Sequence, residues 1–324
     1  MARPEPAAII ELIEARRRDE LAGIVRELTV SEGLDAAIAL LVEVQVDVGA
    51  RWQSQAWTVA DEHAASAIVD HALTVACAAT GSPDDDRRVV VACAEDEWHV
   101  LPARMLSEQL RSRGWSTLFL GSSAPARELG RFVAHADPVA VGLSCSMDRN
   151  LPGARRSIEA CHEAGVPVVV GGAAFDEPGR VAALGADASC ATVAEVDELL
   201  EAWAEEPPVL ASPTVEAPPH LDSLARHRVL DATLRSMVER IHPLADARPH
   251  ELVRLQEDLD GLLRGAEAAA HVADPGIVAD HVAWLRSVSE ARGETPGLVG
   301  VALEALAGAA PEWMDLRGEL SVEV

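Results

Sequence analysis

The stretch RVVVACAEDEWHVLPARMLSEQLRSRG, residues 88–114, decides the fold. Its opening run, RVVVAC (88–93), is apolar after the first residue and rich in β-branched side chains, which is typical of a strand buried on both faces. From residue 101 the apolar side chains follow helical spacing, and Gly114 is a helix stop signal. A strand, a polar loop and a helix in this order predict one unit of a parallel sheet.

The same alternation continues downstream. Further strands are predicted at STLFLG (116–121), VAVGLS (139–144), PVVVGG (167–172) and ADASCA (186–191). Amphipathic helices separate them, and VAEVDELLEAWAEE (193–206) closes the series. We therefore predict an α/β domain over residues 87–204, with a parallel sheet covered on both faces and a ligand site in the loops beyond the carboxyl ends of its strands.

The flanking regions have a different texture. Residues 1–82 predict helices, because apolar residues such as Leu21, Val25 and Leu28 recur at helical spacing until the polar break GSPDDD at 81–86. EEPPVLASPTVEAPPH (205–220) predicts a Pro-rich linker. Residues 221–324 again predict helices and form a second helical domain.

Composition narrows the function classes. The chain has 53 acidic and 27 basic residues and a net charge of −26, and every basic residue is Arg. This charge disfavours direct binding of nucleic acid or an anionic membrane, and the lack of Lys excludes Schiff-base chemistry and a P-loop lysine. We find no signal peptide, transmembrane stretch or hydrolytic residue pair, and so expect a cytoplasmic protein that is not an enzyme. The five scattered Cys indicate reduced thiols.

The loop after the first predicted strand carries Glu97-Trp98-His99. A His at the ligand-binding end of the sheet, with a carboxylate two residues earlier, is a candidate metal or proton-transfer site, because the carboxylate can orient the imidazole. The alternative from the residues alone is a surface His beside a solvated Glu.

Three motif positions in this region resemble the cobalamin-binding domain family, whose signature is D-x-H-x-x-G, then S-x-L, then G-G. Glu97-x-His99-x-x-Pro102, Ser144-Cys145-Ser146 and Gly171-Gly172 occupy these slots, each at a predicted strand end. The resemblance implies a Rossmann-like domain in which His99 replaces the cofactor's own base as the lower cobalt ligand. It also implies that the nucleotide tail passes Ser144 and Ser146, while the glycines let the backbone approach that tail. Glu97, Pro102 and Ser146 depart from the family pattern.

The N-terminal helices contain Trp52, nine intervening residues, and then Glu62-His63. This spacing resembles the light-dependent, cobalamin-binding repressors of carotenoid genes, whose helical bundle covers the upper face of adenosylcobalamin. The resemblance implies that Trp52 and Trp98 border the cofactor, Trp52 at the adenosyl group, and that Glu62 and His63 lie near the ribose. Gln53 stands where those repressors carry a second cobalt-binding His. We expect the chain to lack the DNA-binding domain that those repressors carry ahead of the bundle, and to make no direct contact with nucleic acid. Taken alone, Trp52 also fits a core aromatic, and Glu62-His63 a solvated helix start.

The C-terminal region resembles, in architecture, the photocobilins, which are cobalamin photoreceptors that also bind biliverdin. The resemblance implies a non-covalent bilin, since no Cys follows Cys190. The candidates for its propionates and pyrroles are Arg226, Arg228, Arg286, His281 and Trp284. Solvated helix faces for the arginines and helix core for Trp284 are the alternatives.

Three functions remain open. The first is a signalling light sensor, in which light breaks the Co–C bond of adenosylcobalamin and the helices rearrange. The second is a corrinoid methyl carrier of a methyltransferase system, which needs an accessible upper face that Trp52 disfavours. The third is a Rossmann-like regulatory module in which His99 has no role, although no G-x-G-x-x-G supports a dinucleotide. A homodimer and a downstream effector of unknown identity are the expected protein partners.

Overall fold

A computed structural model describes residues 4–78, 87–219, 221–241, 249–294, 297–314 and 316. The N-terminal helices are α1 (Pro6–Glu14), α2 (Arg18–Glu32), α3 (Leu34–Gln53) and α4 (Val59–Cys77). They pack together through apolar stripes, such as Leu21, Val25 and Leu28 of α2, and we call them the cap. A capping box between Thr58 and Asp61 starts α4. The polar break predicted at 81–86 lies outside the described residues.

The central sheet confirms the predicted α/β fold. Its strands are β1 (Arg88–Cys93), β2 (Ser116–Gly121), β3 (Ala140–Ser144), β4 (Val168–Gly171) and β5 (Ala188–Ser189). All pairings are parallel, and the strand order is β2-β1-β3-β4-β5. The order reverses between β1 and β3, and sheets of this kind bind ligands at such a switch point.

Strand register brings the three motif positions to one edge of the sheet. Cys93, the last residue of β1, pairs with Ser144 of β3, and Ser144 pairs in turn with Gly171 of β4. The loops that follow these three strands therefore begin side by side, although they are far apart in the sequence.

Helices cover both faces of the sheet, as the apolar strands predict. The covering helices are α5 (Val100–Ser112), α6 (Ala126–Ala136), α7 (Leu151–Glu163), α8 (Pro178–Leu184) and α9 (Val193–Glu205). Alternate residues of β1 enter two different cores, with Val89 and Val91 against α5 and α9 and Val90 on the opposite face. The structure differs from the predicted sheet in two strands. β2 is a half-buried edge strand, and the strand expected at 186–191 is only two residues long.

The Pro-rich segment at 206–219 forms no helix or strand, yet it is bound to the α/β domain rather than free. The Ala211 N–H donates to the buried Asp187 carboxylate at 2.7 Å, the Thr214 N–H donates to the Ala182 carbonyl at 3.0 Å, and the Val215 carbonyl accepts from Arg155 at 2.8 Å. These bonds fix the segment as a strap along the domain.

The C-terminal helices are α10 (Ser223–Arg240), α11 (Pro249–Val272), α12 (Gly276–Ala291) and α13 (Leu298–Ala309). Their buried residues, including Leu259 and Leu263 of α11, share one apolar core with Ala183 and Leu184 of α8. The C-terminal helices therefore pack directly on the α/β domain. Among the described helices, none has the length and apolar character needed to cross a membrane.

Candidate cofactor site at the carboxyl edge of the sheet

The Glu97 side chain is fully buried in the loop between β1 and α5. One carboxylate oxygen, Oε1, accepts from the His99 backbone N–H at 2.8 Å and lies 2.6 Å from Nδ1 of the His99 imidazole. Burial by itself would raise the pKa of the Glu97 carboxyl, but these bonds and further N–H donors bring it down to about 2. Glu97 is therefore an anion at neutral pH.

His99 lies immediately before the first residue of α5, and its side chain is 55% exposed. The hydrogen bond to Glu97 raises the pKa of the imidazole, burial opposes this, and the Glu62 carboxylate of the cap adds to the increase. Since Nδ1 is engaged by Glu97, Nε2 is the nitrogen available to a ligand. Pro102 lies in the first turn of α5, where a missing N–H breaks no helical hydrogen bond, so it is compatible with this loop.

The other oxygen of Glu97, Oε2, is held by the turn after β3. We call residues Ser146–Asn150 the post-β3 turn; it includes the short 3₁₀ helix Asp148–Asn150. The backbone N–H groups of Ser146 and Met147 donate to Oε2 at 2.8 and 3.1 Å, and the Asn150 side-chain amide donates at 3.1 Å. The carboxylate thus accepts bonds on both oxygens, which fixes the orientation of the imidazole.

Asn150 is not among the residues that the sequence predicts for this site. Ser146 is among them; its backbone N–H binds Glu97, and a contact of its hydroxyl with the cofactor tail stays a prediction. The available signal was a short polar side chain directly before a helix, a position that usually caps that helix. Asn150 makes no capping bond to α7 and is buried against Glu97 instead.

Ser144, Gly171 and Gly172 lie together but differ in environment. The Ser144 Oγ is buried and has no hydrogen-bond partner. Gly172 has a φ of +101°, and an added Cβ there would lie 2.3 Å from the Cys145 carbonyl oxygen, so the fold itself requires this glycine. A Cβ on Gly171 would meet nothing within 4 Å. The open space beside Gly171 and the unsatisfied hydroxyl of Ser144 could accept a polar ligand group.

The signature residues of the cap lie at the end of α3 and near the start of α4. Trp52, at the end of α3, is 39% exposed. Glu62 and His63 occupy the first turns of α4, where Glu62 Oε2 lies 2.5 Å from His63 Nδ1 and Oε1 accepts from Ser66 at 2.7 Å. The Ser66 hydroxyl also contacts Gln45 at 3.4 Å, which extends the polar chain onto α3. Gln45 and Ser66 were not singled out from the sequence.

Ion pairs attach the cap to α5, the helix that begins directly after His99. Arg104 pairs with Asp70, and its guanidinium donates to Thr74 at 2.6 Å. Further along α5, Gln109 donates to Asp35 of α3 at 2.8 Å. These bonds fix the register of α3 and α4 relative to the His99 loop.

A cavity of about 650 Å³ opens beside Trp98, between the β1 loop, the post-β3 turn and α11. Trp98 is 72% exposed, and Arg149, Gly261 and Arg264 also line the space. The Arg149 guanidinium opposes the rise in the pKa of His99 and adds to the fall in the pKa of His281.

None of the five residues proposed for a bilin is among those that line this cavity. His281 packs against Gly261, one of the lining residues, and its ring meets that of Trp284 edge-on at 5.6 Å. Burial lowers the pKa of His281 to about 4, and its Nε2 has no hydrogen-bond partner. Arg226 instead forms a buried ion pair with Glu267 at 2.6 Å.

The other two candidates, Arg228 and Arg286, are exposed on α10 and half-buried on α12, respectively. The cavity-lining arginines are therefore Arg149 and Arg264, which were not singled out from the sequence.

Two family models, both described as a B12 binding domain, match residues 87–201 and residues 7–76. The chain is also 33% identical over 164 residues to the HTH-type transcriptional repressor CarH of Myxococcus xanthus, an alignment that covers 50% of this chain and 54% of that protein. The chain thus spans about half the length of the curated relative it matches. These matches support cobalamin binding and homology to this repressor.

Two solved structures align with part of this chain. One is the monomethylamine corrinoid protein of Methanosarcina barkeri, with 18% identity, a TM-score of 0.49, and coverage of 57% of this chain and 95% of that one. Another is a cobalamin-binding protein of Desulfitobacterium hafniense, with 18% identity, a TM-score of 0.35, and coverage of 62% and 98%.

Proposed function

We propose that this chain, in which residues 7–76 and 87–201 match B12-binding domains, is a light sensor. It binds adenosylcobalamin with His99 as the lower cobalt ligand, and it binds biliverdin in the cavity beside Trp98. The observation that carries the proposal is the contact between the buried Glu97 carboxylate and the half-exposed His99 imidazole at the switch point of the sheet. The Glu62 carboxylate of the cap adds to the rise in the pKa of that imidazole.

The residues present fit cobalamin. A single imidazole is too few ligands to hold a metal ion by itself, but it can fill one remaining position on a metal that is already coordinated. The cobalt of a corrin is such a metal, because the ring nitrogens already hold it. Glu97 engages Nδ1, which keeps the proton on that nitrogen and leaves the lone pair on Nε2. The buried Ser144 hydroxyl lacks a partner, and the space beside Gly171 is open, as a polar nucleotide tail requires.

When bound, adenosylcobalamin supplies a Co–C bond that light breaks. The contribution of the cap is to recognise the adenosyl group: the exposed indole of Trp52 offers an apolar wall, and the Glu62–Ser66–Gln45 chain offers hydrogen-bonding groups for ribose hydroxyls. These contacts depend on the upper ligand, so the position of α3 and α4 depends on it too. The cap would therefore have two arrangements, and the upper ligand would determine which one is populated.

The cavity beside Trp98 supports the bilin part of the proposal. Its volume of about 650 Å³ lies within the range of small-molecule sites. Arg149 provides a guanidinium group for one propionate, and the exposed Trp98 indole provides an aromatic face for a pyrrole. Arg264 also lines the cavity, but it is paired with Asp260 at 2.8 Å, so a second propionate would compete with that carboxylate. His281 and Trp284 adjoin the cavity through Gly261, so we retain them as pyrrole neighbours.

The cobalamin part is tested by absorption spectra of the full-length protein loaded with adenosylcobalamin, before and after illumination. Wild type should show imidazole ligation in the dark and a spectral change in the light, while His99→Ala should retain less cofactor and show a spectrum without imidazole ligation. Unchanged spectra in His99→Ala would remove His99 from the function.

The competing methyl-carrier function is tested at Trp52. Trp52→Ala removes the apolar wall and should shift the relative affinity toward methylcobalamin. Equal preference in wild type and variant would mean that the cap does not recognise adenosyl, which would favour the methyl carrier.

The bilin part is tested by titration with biliverdin. The red absorption band should shift with wild type, and Arg149→Gln should weaken binding. The matched control is Arg228→Gln, because Arg228 is exposed on α10 and does not line the cavity. A wild-type titration that leaves the red band unshifted would reduce the proposal to cobalamin alone.

A further inference from the structure

The post-β3 turn connects in two directions. On one side its Ser146 and Met147 N–H groups and the Asn150 amide hold the Glu97 carboxylate. On the other side Asp148, from the same turn, accepts from Arg180 Nη1 at 2.9 Å. The segment that orients the axial-ligand pair is therefore itself held by an ion pair.

Arg180 belongs to α8, and its side chain is only 9% exposed. Besides Asp148, Nη1 donates to the Ala174 carbonyl at 3.1 Å. The remaining nitrogens, Nε and Nη2, both donate to Asp274 Oδ2, at 3.0 and 2.9 Å. Every nitrogen of the planar guanidinium is thus engaged, and the two carboxylates are fixed relative to each other.

Asp274 lies in the C-terminal helices, between α11 and α12. Its Oδ1 accepts from the Gly276 N–H at 3.0 Å at the start of α12, while Oδ2 accepts from Arg180. Helix α11 packs on the post-β3 turn, α7 and α8. One guanidinium therefore joins the turn beside the cofactor site to the junction of two C-terminal helices.

Removing Arg180 would leave two partly buried carboxylates facing the same space. Burial raises the pKa of the Asp148 carboxyl, Arg180 opposes this, and the Asp274 and Asp280 carboxylates add to the increase. Without the guanidinium, the repulsion between Asp148 and Asp274 would have no counterion. The post-β3 turn and the start of α12 would then separate.

We propose that Arg180 is a positioning residue for the Glu97–His99 pair and couples it to the C-terminal helices. The path runs from Asp274 through Arg180 and Asp148 to Asn150, and from there to Glu97. The inference rests on the proposed binding of cobalamin by His99. Coupling between two sites is reciprocal, so cobalt ligation must restrain the start of α12 to the same degree that Arg180 favours ligation.

The first measurement needs no cofactor. In full-length Arg180→Met, hydrogen exchange should be faster than in wild type at the Ser146 and Met147 amides, because these amides donate to Glu97 only while the turn is held. The matched control is Arg226→Met, which breaks a similarly buried ion pair, Arg226–Glu267, within the C-terminal helices. The control should leave exchange at Ser146 and Met147 unchanged.

The second measurement uses added adenosylcobalamin. Arg180→Met should raise the dissociation constant at least about fivefold and increase the fraction of cofactor without imidazole ligation. Arg180→Lys should give intermediate values, because an ammonium group keeps the charge but cannot reproduce the planar set of bonds. Combined with Asn150→Ala, Arg180→Met should have a much smaller additional effect, since both act through the same turn.

Different results would overturn the proposed function and the proposed role of Arg180. If wild type binds no cobalamin, the proposed function fails and the exchange data alone decide whether Arg180 holds the turn. If His99→Ala lowers affinity while folded Arg180→Met behaves like wild type in exchange, affinity and spectrum, Arg180 has no positioning role. Should Arg180→Met fail to fold, Asp274→Asn and Arg180→Lys make the same test, and wild-type behaviour of both overturns the inference.

Discussion

Replacing Glu97 by Gln tests the proposed axial-ligand pair of Glu97 and His99 with almost no change in shape. The carboxylate accepts two bonds at Oε1, both from His99, and three at Oε2 from the post-β3 turn. An amide offers only one acceptor oxygen. If that oxygen faces the post-β3 turn, the new NH₂ group meets the His99 backbone N–H, two donors at a separation of 2.8 Å. The opposite orientation sets the NH₂ group against three donors, so the first is favoured.

The favoured orientation also changes the imidazole. The introduced NH₂ group can donate to Nδ1 of His99, which places the ring proton on Nε2. A protonated Nε2 has no lone pair for cobalt. The loss of a carboxylate that orients a metal-binding His costs about 10–100-fold in affinity, which corresponds to about 1.4–2.8 kcal/mol. We therefore expect Glu97→Gln to weaken cobalamin binding within this range and to lower the imidazole-ligated fraction.

Calorimetric titration with adenosylcobalamin and absorption spectra of the loaded protein measure both effects. The matched control is Glu95→Gln, a carboxylate in the same loop that pairs with Arg156 instead of His99. It should leave the imidazole-ligated fraction unchanged. If Glu97→Gln binds as tightly as wild type while His99→Ala does not, Glu97 does not control the imidazole, and the reasoning from its hydrogen bonds is refuted.

Two further predictions concern the glycine pair and the buried imidazole. Gly172→Ala should destabilise the protein by at least about 2 kcal/mol in urea unfolding, from a strained φ and a contact with Cys145. Gly171→Ala should leave stability within about 0.5 kcal/mol and weaken cobalamin binding, and equal binding would move the tail elsewhere. Burial lowers the pKa of His281 from 6.5 to about 4, so on acidification the unfolded chain takes up this proton before the folded one does. Stability should therefore fall from pH 6.5 toward pH 4, by about 2 kcal/mol at pH 5, and an equally steep decline in His281→Gln would contradict this origin.

The position of the candidate site could be predicted from the sequence because the patterns that locate it each involve a few residues close together in the chain. An apolar run such as 88–93 must be buried on both faces, and the polar loop that follows it must then lie at the edge of the sheet. The three motif positions follow three such runs, and parallel register brings their ends together at Cys93, Ser144 and Gly171. The sequence therefore indicated where His99 lies and which strand ends surround it.

The bonds that fix the site were not predictable in this way, because each joins residues far apart in the chain. Asn150 reaches Glu97 across 53 positions, and Arg180 reaches Asp274 across 94. Nothing in the neighbourhood of Arg180 or Arg226 distinguishes it from an arginine on a solvated helix face. The local sequence therefore also allows Arg226 to bind a propionate, but its guanidinium is engaged by Glu267, 41 residues away.

The strap shows how such distant bonds change the meaning of a local pattern. Proline-rich composition at 205–220 indicates a flexible tether between two domains. Such a tether would favour binding of a ligand between the domains only by keeping them at a high effective concentration. Asp187, 24 positions before Ala211, converts this segment into a fixed connection, and the shared apolar core and Arg180 add to it. A displacement at the cofactor site therefore has a rigid route to α12 that a flexible tether would not provide, so the C-terminal helices can respond to the cofactor site without themselves touching the cobalt.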